Sequence, residues 1–242
     1  MRAIILSAGQ GSRLLPLTQD RPKCLRPVGP RSVIEWQVRH LAAGGVTEIA
    51  VVLGFHAESV AAELQKLAGP NLAIRTIFNP FYKVADNLGS CWIARHEMDR
   101  DFLLLNGDTL FEPDVLKKLV AEATDPITVT IDRKAEYDAD DMKVRTEGRR
   151  LCEIGKALPT ERVNGESIGF LAFRGTGPAL FRDAVDRTMH TPDGIKWWYL
   201  KVIDTLAHEG HVGTVSIEGL AWGEIDFPPD LERAERMVAR WR

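Results

Sequence analysis

Cysteine, long apolar runs and excess charge are all scarce in this chain of 242 residues, and each shortage excludes something. Cys24, Cys91 and Cys152 are odd in number, scattered and without C-x-x-C spacing, which argues against a disulfide framework and against a cysteine zinc site. No apolar stretch approaches the ~20 residues needed to span a bilayer. The apolar run at the start is too short for a signal-peptide core, so the expectation is a cytoplasmic protein without a membrane partner. With 31 Lys and Arg against 34 Asp and Glu, the formal net charge of -3 gives no field to hold nucleic acid. Two nucleotide fingerprints are missing as well. Leu14 stands where G-x-G-x-x-G needs its third glycine, and no Gly-Lys-Ser/Thr closes a P-loop.

What is present starts at once. Ile4-Ile5-Leu6-Ser7-Ala8 runs into Gly9-Gln10-Gly11-Ser12-Arg13, with Pro22-Lys23 ten residues further on. This reads as a buried strand feeding a tight turn whose bare amides can approach a phosphate, with a guanidinium and an ammonium nearby. Ser32 and Glu35 then give a capping box before a helical face of Val33, Ile34, Val38, Leu41 and Ala42 that stops at Gly44-Gly45.

Strand-like and helix-like segments alternate after that: strands at 48–54, 72–78 and 102–105, and helices at 57–67, 88–98 and from Pro113. The alternation predicts an α/β fold with a Rossmann-like, open, mostly parallel sheet flanked by helices, whose ligands bind at the carboxyl ends of the strands. Asn106-Gly107-Asp108 lies at one such end. From about Ile127 the texture changes to short strands with charged joins (127–131, 140–144, 151–155, 167–173), which predicts a small antiparallel platform for a second substrate. One domain over 1–242 is expected, with residues 1–126 mainly binding nucleotide and 127–242 the acceptor and a closing metal strand.

Helices are expected at 178–188 and 195–209, the second carrying Lys196-Trp197-Trp198-Tyr199, of which at least one aromatic should face a cleft or a partner; a flat aromatic wall would also suit a quaternary ammonium. The segment 220–226 reads as a strand on which Glu224 and Asp226 share a face; paired carboxylates there make a metal reading plausible. A closing helix presents Leu231, Ala234, Met237 and Val238.

The opening turn with Pro22-Lys23 resembles the signature of the sugar-1-phosphate nucleotidylyltransferase superfamily. The segments Asn79 to Ser90, Leu104 to Asp108, Asp141 to Val144 and Trp222 to Asp226 are together most similar to its phosphocholine cytidylyltransferase-like branch. The resemblance implies a glycosyltransferase-A-like fold and Mg2+-dependent transfer of a nucleoside monophosphate, CMP from CTP, to a small phosphorylated or phosphonylated acceptor such as phosphocholine, with pyrophosphate released. It implies Mg2+ on Asp108 and Asp226, with Glu224 a weaker second, and catalytic roles for Arg13, Lys23 and Lys156. Nucleotide contacts fall to Leu6, Ala8, Gly9, Gly11, Ser12, Arg13, Asn79, Asn87, Ser90 and Asp108, and acceptor contacts to Lys143, Lys156, Glu166, Trp198 and Tyr199. A sugar-1-phosphate or inositol-phosphate acceptor with UTP, GTP or CTP is the alternative. A silent nucleotide-sensing relative would have lost one of Arg13, Lys23, Asp108 or Asp226, and all are present. Such relatives occur as monomers and as homo-oligomers, and the sequence leaves that choice open.

Overall fold

The computed structural model describes residues 1–241. Its thirteen strands are β1 (Arg2–Ser7), β2 (Pro27–Val28), β3 (Arg31–Ser32), β4 (Glu48–Leu53), β5 (Ala73–Phe78), β6 (Phe102–Asn106), β7 (Thr109–Phe111), β8 (Ile127–Asp132), β9 (Lys143–Glu147), β10 (Arg150–Ile154), β11 (Gly165–Phe173), β12 (Val212–Ser216) and β13 (Trp222–Glu224). Seven α-helices join them: α1 (Val33–Ala43), α2 (Ala57–Leu67), α3 (Asn87–Ile93), α4 (Pro113–Glu122), α5 (Gly177–Met189), α6 (Tyr199–His208) and α7 (Pro228–Val238).

Nine strands form one sheet in the order β5-β4-β1-β6-β11-β8-β12-β10-β9, and β9 also pairs with β11. The first four are parallel, as a strand–helix alternation requires, and β11 enters antiparallel against β6. The antiparallel platform is therefore continuous with the parallel half of the sheet. All of β1 is buried, and its side chains divide between two cores, as the period of a strand dictates. Ile4 and Leu6 pack with α3, α5 and α6 on one face; Ala3 and Ile5 pack with α1, α2 and α4 on the other. A smaller cluster of Leu14, Val28, Val33, Trp36, Leu110, Ile225, Ala234 and Val238 ties the segment after the glycine turn to α7.

Four expected elements come out differently. The helix at 88–98 ends at Ile93 and continues as a 3-10 turn, Arg95–Glu97. The helix at 195–209 begins only at Tyr199, after a 3-10 turn and an extended Trp197-Trp198 pair. Here the carbonyls of Ile195 and Trp197 accept the amides of Asp86 and Leu88, at 2.8 and 3.2 Å, satisfying the start of α3 instead of prolonging α6. The strand at 220–226 is only Trp222–Glu224, because the Asp226 amide leaves the ladder and donates to Asp230 Oδ2 at 2.8 Å. Glu224 and Asp226 consequently do not share one strand face. β9 likewise begins at Lys143, since Asp138 Oδ1 accepts the amides of Asp140 and Asp141 and turns the chain there.

The carboxyl ends of β1 and β6 meet where the site lies. Leu6 registers with Asn106, and the Gly107 amide donates to the Leu6 carbonyl at 2.9 Å. A Cβ on Gly107 would lie 2.1 Å from Ser7 Oγ and 2.6 Å from that carbonyl. Gly107→Ala should therefore lower stability by about 1–3 kcal/mol through overpacking against backbone. The check is a urea denaturation midpoint; an unchanged midpoint would mean the two strand ends are free to separate.

Candidate active site

The cleft above these strand ends, of about 200 Å³, is lined by Leu6, Ser7, Gly9, Gly11, Lys23, Cys24, Asn87, Asn106, Gly107 and Asp108. Gly11 takes a left-handed conformation at φ 77°, and a Cβ there would come within 2.9 Å of Lys23 Cβ. Glycine thus lets the turn fold down against Lys23. The exposed Ser12 and Arg13 then form a short 3-10 turn, pinned as Thr18 Oγ1 donates to the Gly11 carbonyl at 2.8 Å. Ala8 is buried beneath the turn, its carbonyl accepting the Phe55 amide at 2.9 Å.

Lys23 is the centre of the charge network. Its Nζ donates to Asp108 Oδ2 at 2.6 Å and to Asp226 Oδ1 at 2.8 Å. Arg13 reaches the same Asp226 oxygen at 2.8 Å and lies over the Phe227 ring at 5.2 Å. Burial opposes the charge on Lys23, but Asp108 and Asp226 outweigh it and hold the ammonium well above its ordinary pKa. Burial also pushes Asp226 upward, yet Lys23, Arg13 and Lys156 prevail and keep it ionised below the usual range. Glu224 goes the other way: burial, then the charges of Asp108 and Asp226, push it up to about 8. The backbone that gathers these carboxylates is the β7–β13 ladder, where Thr109 registers with Glu224 and the Ile225 amide donates to the Asp108 carbonyl at 3.2 Å.

Asp108 Oδ1 is buried with no hydrogen-bond partner, an open oxygen beside a second carboxylate. Hard oxygen donors of this kind suit Mg2+. The three carboxylates do not form a ready coordination sphere, and no group of three or more metal-ligating side chains is assembled among the described residues. The two that face each other are joined instead through the Lys23 ammonium.

A second cavity, of about 360 Å³, opens beyond Asp226, between the loop 133–142, β13 and α7. Carboxylates dominate its walls: Asp138, Asp140, Asp141, Glu166, Glu224, Asp226 and Asp230, against Lys134 and Arg233. Glu166 is buried, and Lys134 Nζ bridges it at 3.0 Å and Asp141 at 2.8 Å. Lys156 stands at the boundary, 3.5 Å from Asp140 and 5.2 Å from the centre of the Trp198 ring. Asp140 also meets Arg13 at 3.5 Å, so the two cations from different halves of the chain converge on one carboxylate.

Other expected residues sit elsewhere. Asn79 and Ser90 are buried, with Asn79 Nδ2 donating to Ser90 Oγ at 3.1 Å, so they bond each other and not the cleft. Asn87 lines the cleft, while its Oδ1 accepts the Tyr199 amide at 2.9 Å. Tyr199 is fully buried and donates its hydroxyl to Asn106 Oδ1 at 3.2 Å; it supports the floor from below and presents nothing to an acceptor. Lys143 is buried, with Nζ on the Lys156 carbonyl at 3.0 Å, and so fixes the turn that carries Lys156. Sequence reasoning missed Lys134, Asp140, Trp222 and Phe227 as site residues. The acidic run Asp138-x-Asp140-Asp141 was the visible signal for the loop.

Burial and the neighbouring Asp141 push Glu166 up to about 7, against the opposing pull of Lys134. With a folded pKa above the unfolded one, the folded state holds a proton that the unfolded state has lost, so this group costs stability as pH rises from about 4.5 to about 7. Glu166→Gln should remove that cost. Urea midpoints of the wild type and variant should diverge in the variant's favour between pH 5 and pH 7.5, and parallel profiles would refute the burial argument.

Similarity to known proteins extends over nearly the whole chain. The chain is 34% identical, over 97% of its length and 38% of the relative's, to the CMP-5'-(3-aminopropyl)phosphonate synthase of Streptomyces rubellomurinus. It is 27% identical, over 96% of its length and 98% of the relative's, to the CTP:phosphoglutamine cytidylyltransferase of Campylobacter jejuni. It thus spans well under half of the first relative and nearly all of the second. The inositol-1-phosphate CTP transferase from T. maritima superposes with a TM-score of 0.81 at 18% identity, covering 99% of this chain and 96% of that one, which shows a shared fold. The sequence model of the Nucleotidyl transferase family matches residues 2–141, and the chain belongs to that family.

Proposed function

We propose that the chain transfers CMP from CTP to a small phosphorylated or phosphonylated acceptor and releases pyrophosphate. The observation that carries this reading is the link between two cavities through the Lys23–Asp226 ion pair: a glycine-floored cleft lined by Lys23 and Asp108 on one side, an acid-walled pocket lined by Asp226 on the other. A donor and an acceptor seated in the two would meet beside the cations Arg13, Lys23 and Lys156. Relatives named for CTP and CMP support cytidine as the base.

In this reading the amides of the Gly9 to Gly11 turn and the Arg13 guanidinium hold the triphosphate, since planar fork and bare amides both match phosphate oxygens. Lys23, already shared between two carboxylates, exchanges one for a phosphate oxygen as negative charge enters the cleft. Lys156 steers the acceptor's anionic oxygen toward the α-phosphorus, held in place by the Lys143 bond to its carbonyl. That oxygen attacks in line, the bond to the β-phosphate oxygen breaks, and the proteins' cations absorb the charge on the departing pyrophosphate. Mg2+ bound through Asp108 and Asp226, with Glu224 beside them, would supply further charge neutralisation at the phosphates.

A sugar- or inositol-phosphate acceptor is the second reading, favoured by the fold match to the inositol-1-phosphate enzyme. The carboxylate-rich wall of the acceptor pocket argues against it, because a neutral polyol leaves that charge uncompensated. Pyrophosphate release with Mg2+, each of the four nucleoside triphosphates and a panel of phosphocholine, 2-aminoethylphosphonate, glycerol phosphate, inositol phosphate and hexose-1-phosphates decides between them. CTP with a nitrogen-bearing acceptor is expected to be fastest, and turnover only with a hexose-1-phosphate would overturn the reading. Asp108→Asn should reduce kcat by about 10²-fold or more while the thermal midpoint is retained; a variant of normal kcat would remove Asp108 from the reaction.

A further inference from the structure

The loop 133–142 holds two charges in seats that fit an acceptor better than they fit the loop. Lys134 places its ammonium 2.8 Å from Asp141 and 3.0 Å from Glu166. The Asp141 and Glu166 side chains are only 12% and 6% exposed, whereas Lys134 is 37% exposed. The carboxylates are therefore the fixed part, and the ammonium reaches them from the solvent side on a flexible stem. One ammonium between two such carboxylates also leaves the seat with an excess of acceptor oxygens. Asp140, one residue before Asp141, is the mirror image: a 57% exposed carboxylate lying 3.5 Å from both Arg13 and Lys156. The anion is the loosely held member there, and the cations come from the phosphate turn and from the turn after β10.

We propose that Asp141 and Glu166 are the specificity-determining seat for a primary ammonium on the acceptor, that Lys134 is its resident stand-in, and that Asp140 stands in for the acceptor's phosphate or phosphonate. The inference rests on the nucleotidyl-transfer reading for calling this ligand an acceptor, and it narrows that reading to short zwitterions with an amine at one end and phosphorus at the other. Adjacent residues of one loop, Asp140 and Asp141, address the two seats, and both line the same cavity with Glu166. A primary rather than quaternary amine follows from the chemistry of the seat. Carboxylate oxygens at hydrogen-bonding distance are matched by N–H donors, which a trimethylammonium lacks. Quaternary nitrogen is drawn instead to aromatic faces; of the two rings that line the pocket, Phe227 already carries the Arg13 guanidinium at 5.2 Å and Trp222 is held by its indole N–H on Asp132 Oδ2 at 2.7 Å, so phosphocholine is the compound that tests this choice.

The test is calorimetric binding of 2-aminoethylphosphonate, its amine-free analogue ethylphosphonate, and phosphocholine to the full chain, with CTP present and absent, alongside pyrophosphate release. Tighter binding of 2-aminoethylphosphonate than of either comparison compound by about tenfold or more is expected. In Asp141→Asn/Glu166→Gln that preference should collapse to about twofold. Lys134→Ala should move the other way and widen it, a change of sign that misfolding does not produce. Equal affinity for the amine and its amine-free analogue, no detectable binding of either, stronger binding of phosphocholine, or a Lys134→Ala variant with a reduced preference would each overturn the inference. Equal turnover of 2-aminoethylphosphonate and ethylphosphonate would overturn it while leaving CMP transfer standing. Selective binding of the amine without pyrophosphate release from any triphosphate would keep the seat and sink the transfer reading.

Discussion

A single ammonium between two carboxylates, Lys23 with Asp108 and Asp226, sets the arrangement of everything around it. The three residues come from the turn after β1, the end of β6 and the loop before α7, segments separated by 85 and 203 positions in the chain. Holding like charges together away from bulk water is unfavourable unless a counter-charge is fixed between them. The glycine turn must fold down over Lys23 for that reason, the β7–β13 ladder must bring Asp226 in from the far end of the chain, and α7 must pack on the Leu14, Val28 and Val33 cluster.

The sheet gives the network a rigid base. Four parallel strands end at one level, and the glycine after β6 lets its carboxylate lie against the end of β1. Antiparallel β11 then continues the same sheet and delivers Glu166 into the neighbouring pocket. On the proposed reading, nucleotide floor and acceptor wall are thereby built on one hydrogen-bonded framework, with Glu166 on the sheet itself and Lys134, Asp140 and Asp141 on a connection.

Much of this was legible from residue pattern. The parallel half announced itself through apolar runs broken by glycine and followed by helical periodicity, and the charges of Arg13, Lys23 and Asp108 stood out because they follow strand ends. Patterns that depend on partners were not legible. Trp197 and Trp198 look helical by local periodicity, but the amides that open α3 take the carbonyls of Ile195 and Trp197, and no spacing within 195–199 reveals that demand. Alternation across Glu224 and Asp226 suggested one face, and an Asp230 side chain competing for the Asp226 amide ends the strand between them. Asn79 and Ser90 look like free polar groups in a sequence; only the fold shows them spending their hydrogen bonds on each other. Asp140 was visible as charge, not as the meeting point of Arg13 and Lys156, because that convergence joins three loops.

The connection between β8 and β9 carries Lys134, Asp138, Asp140 and Asp141, while the strands it joins are anchored by pairings to β11, β12 and β10. Residues 133–141 form no strand, while the Met142 carbonyl at the loop's end accepts the Ser167 amide of β11 at 2.8 Å. The largely exposed residues 133–140 lie apart from the cores, whereas Met142 packs against one of them and Glu166 belongs to the sheet. Under the proposed reading, exchanging residues 133–141 would therefore replace the loop's half of the ammonium seat and leave Glu166, on the sheet, in place.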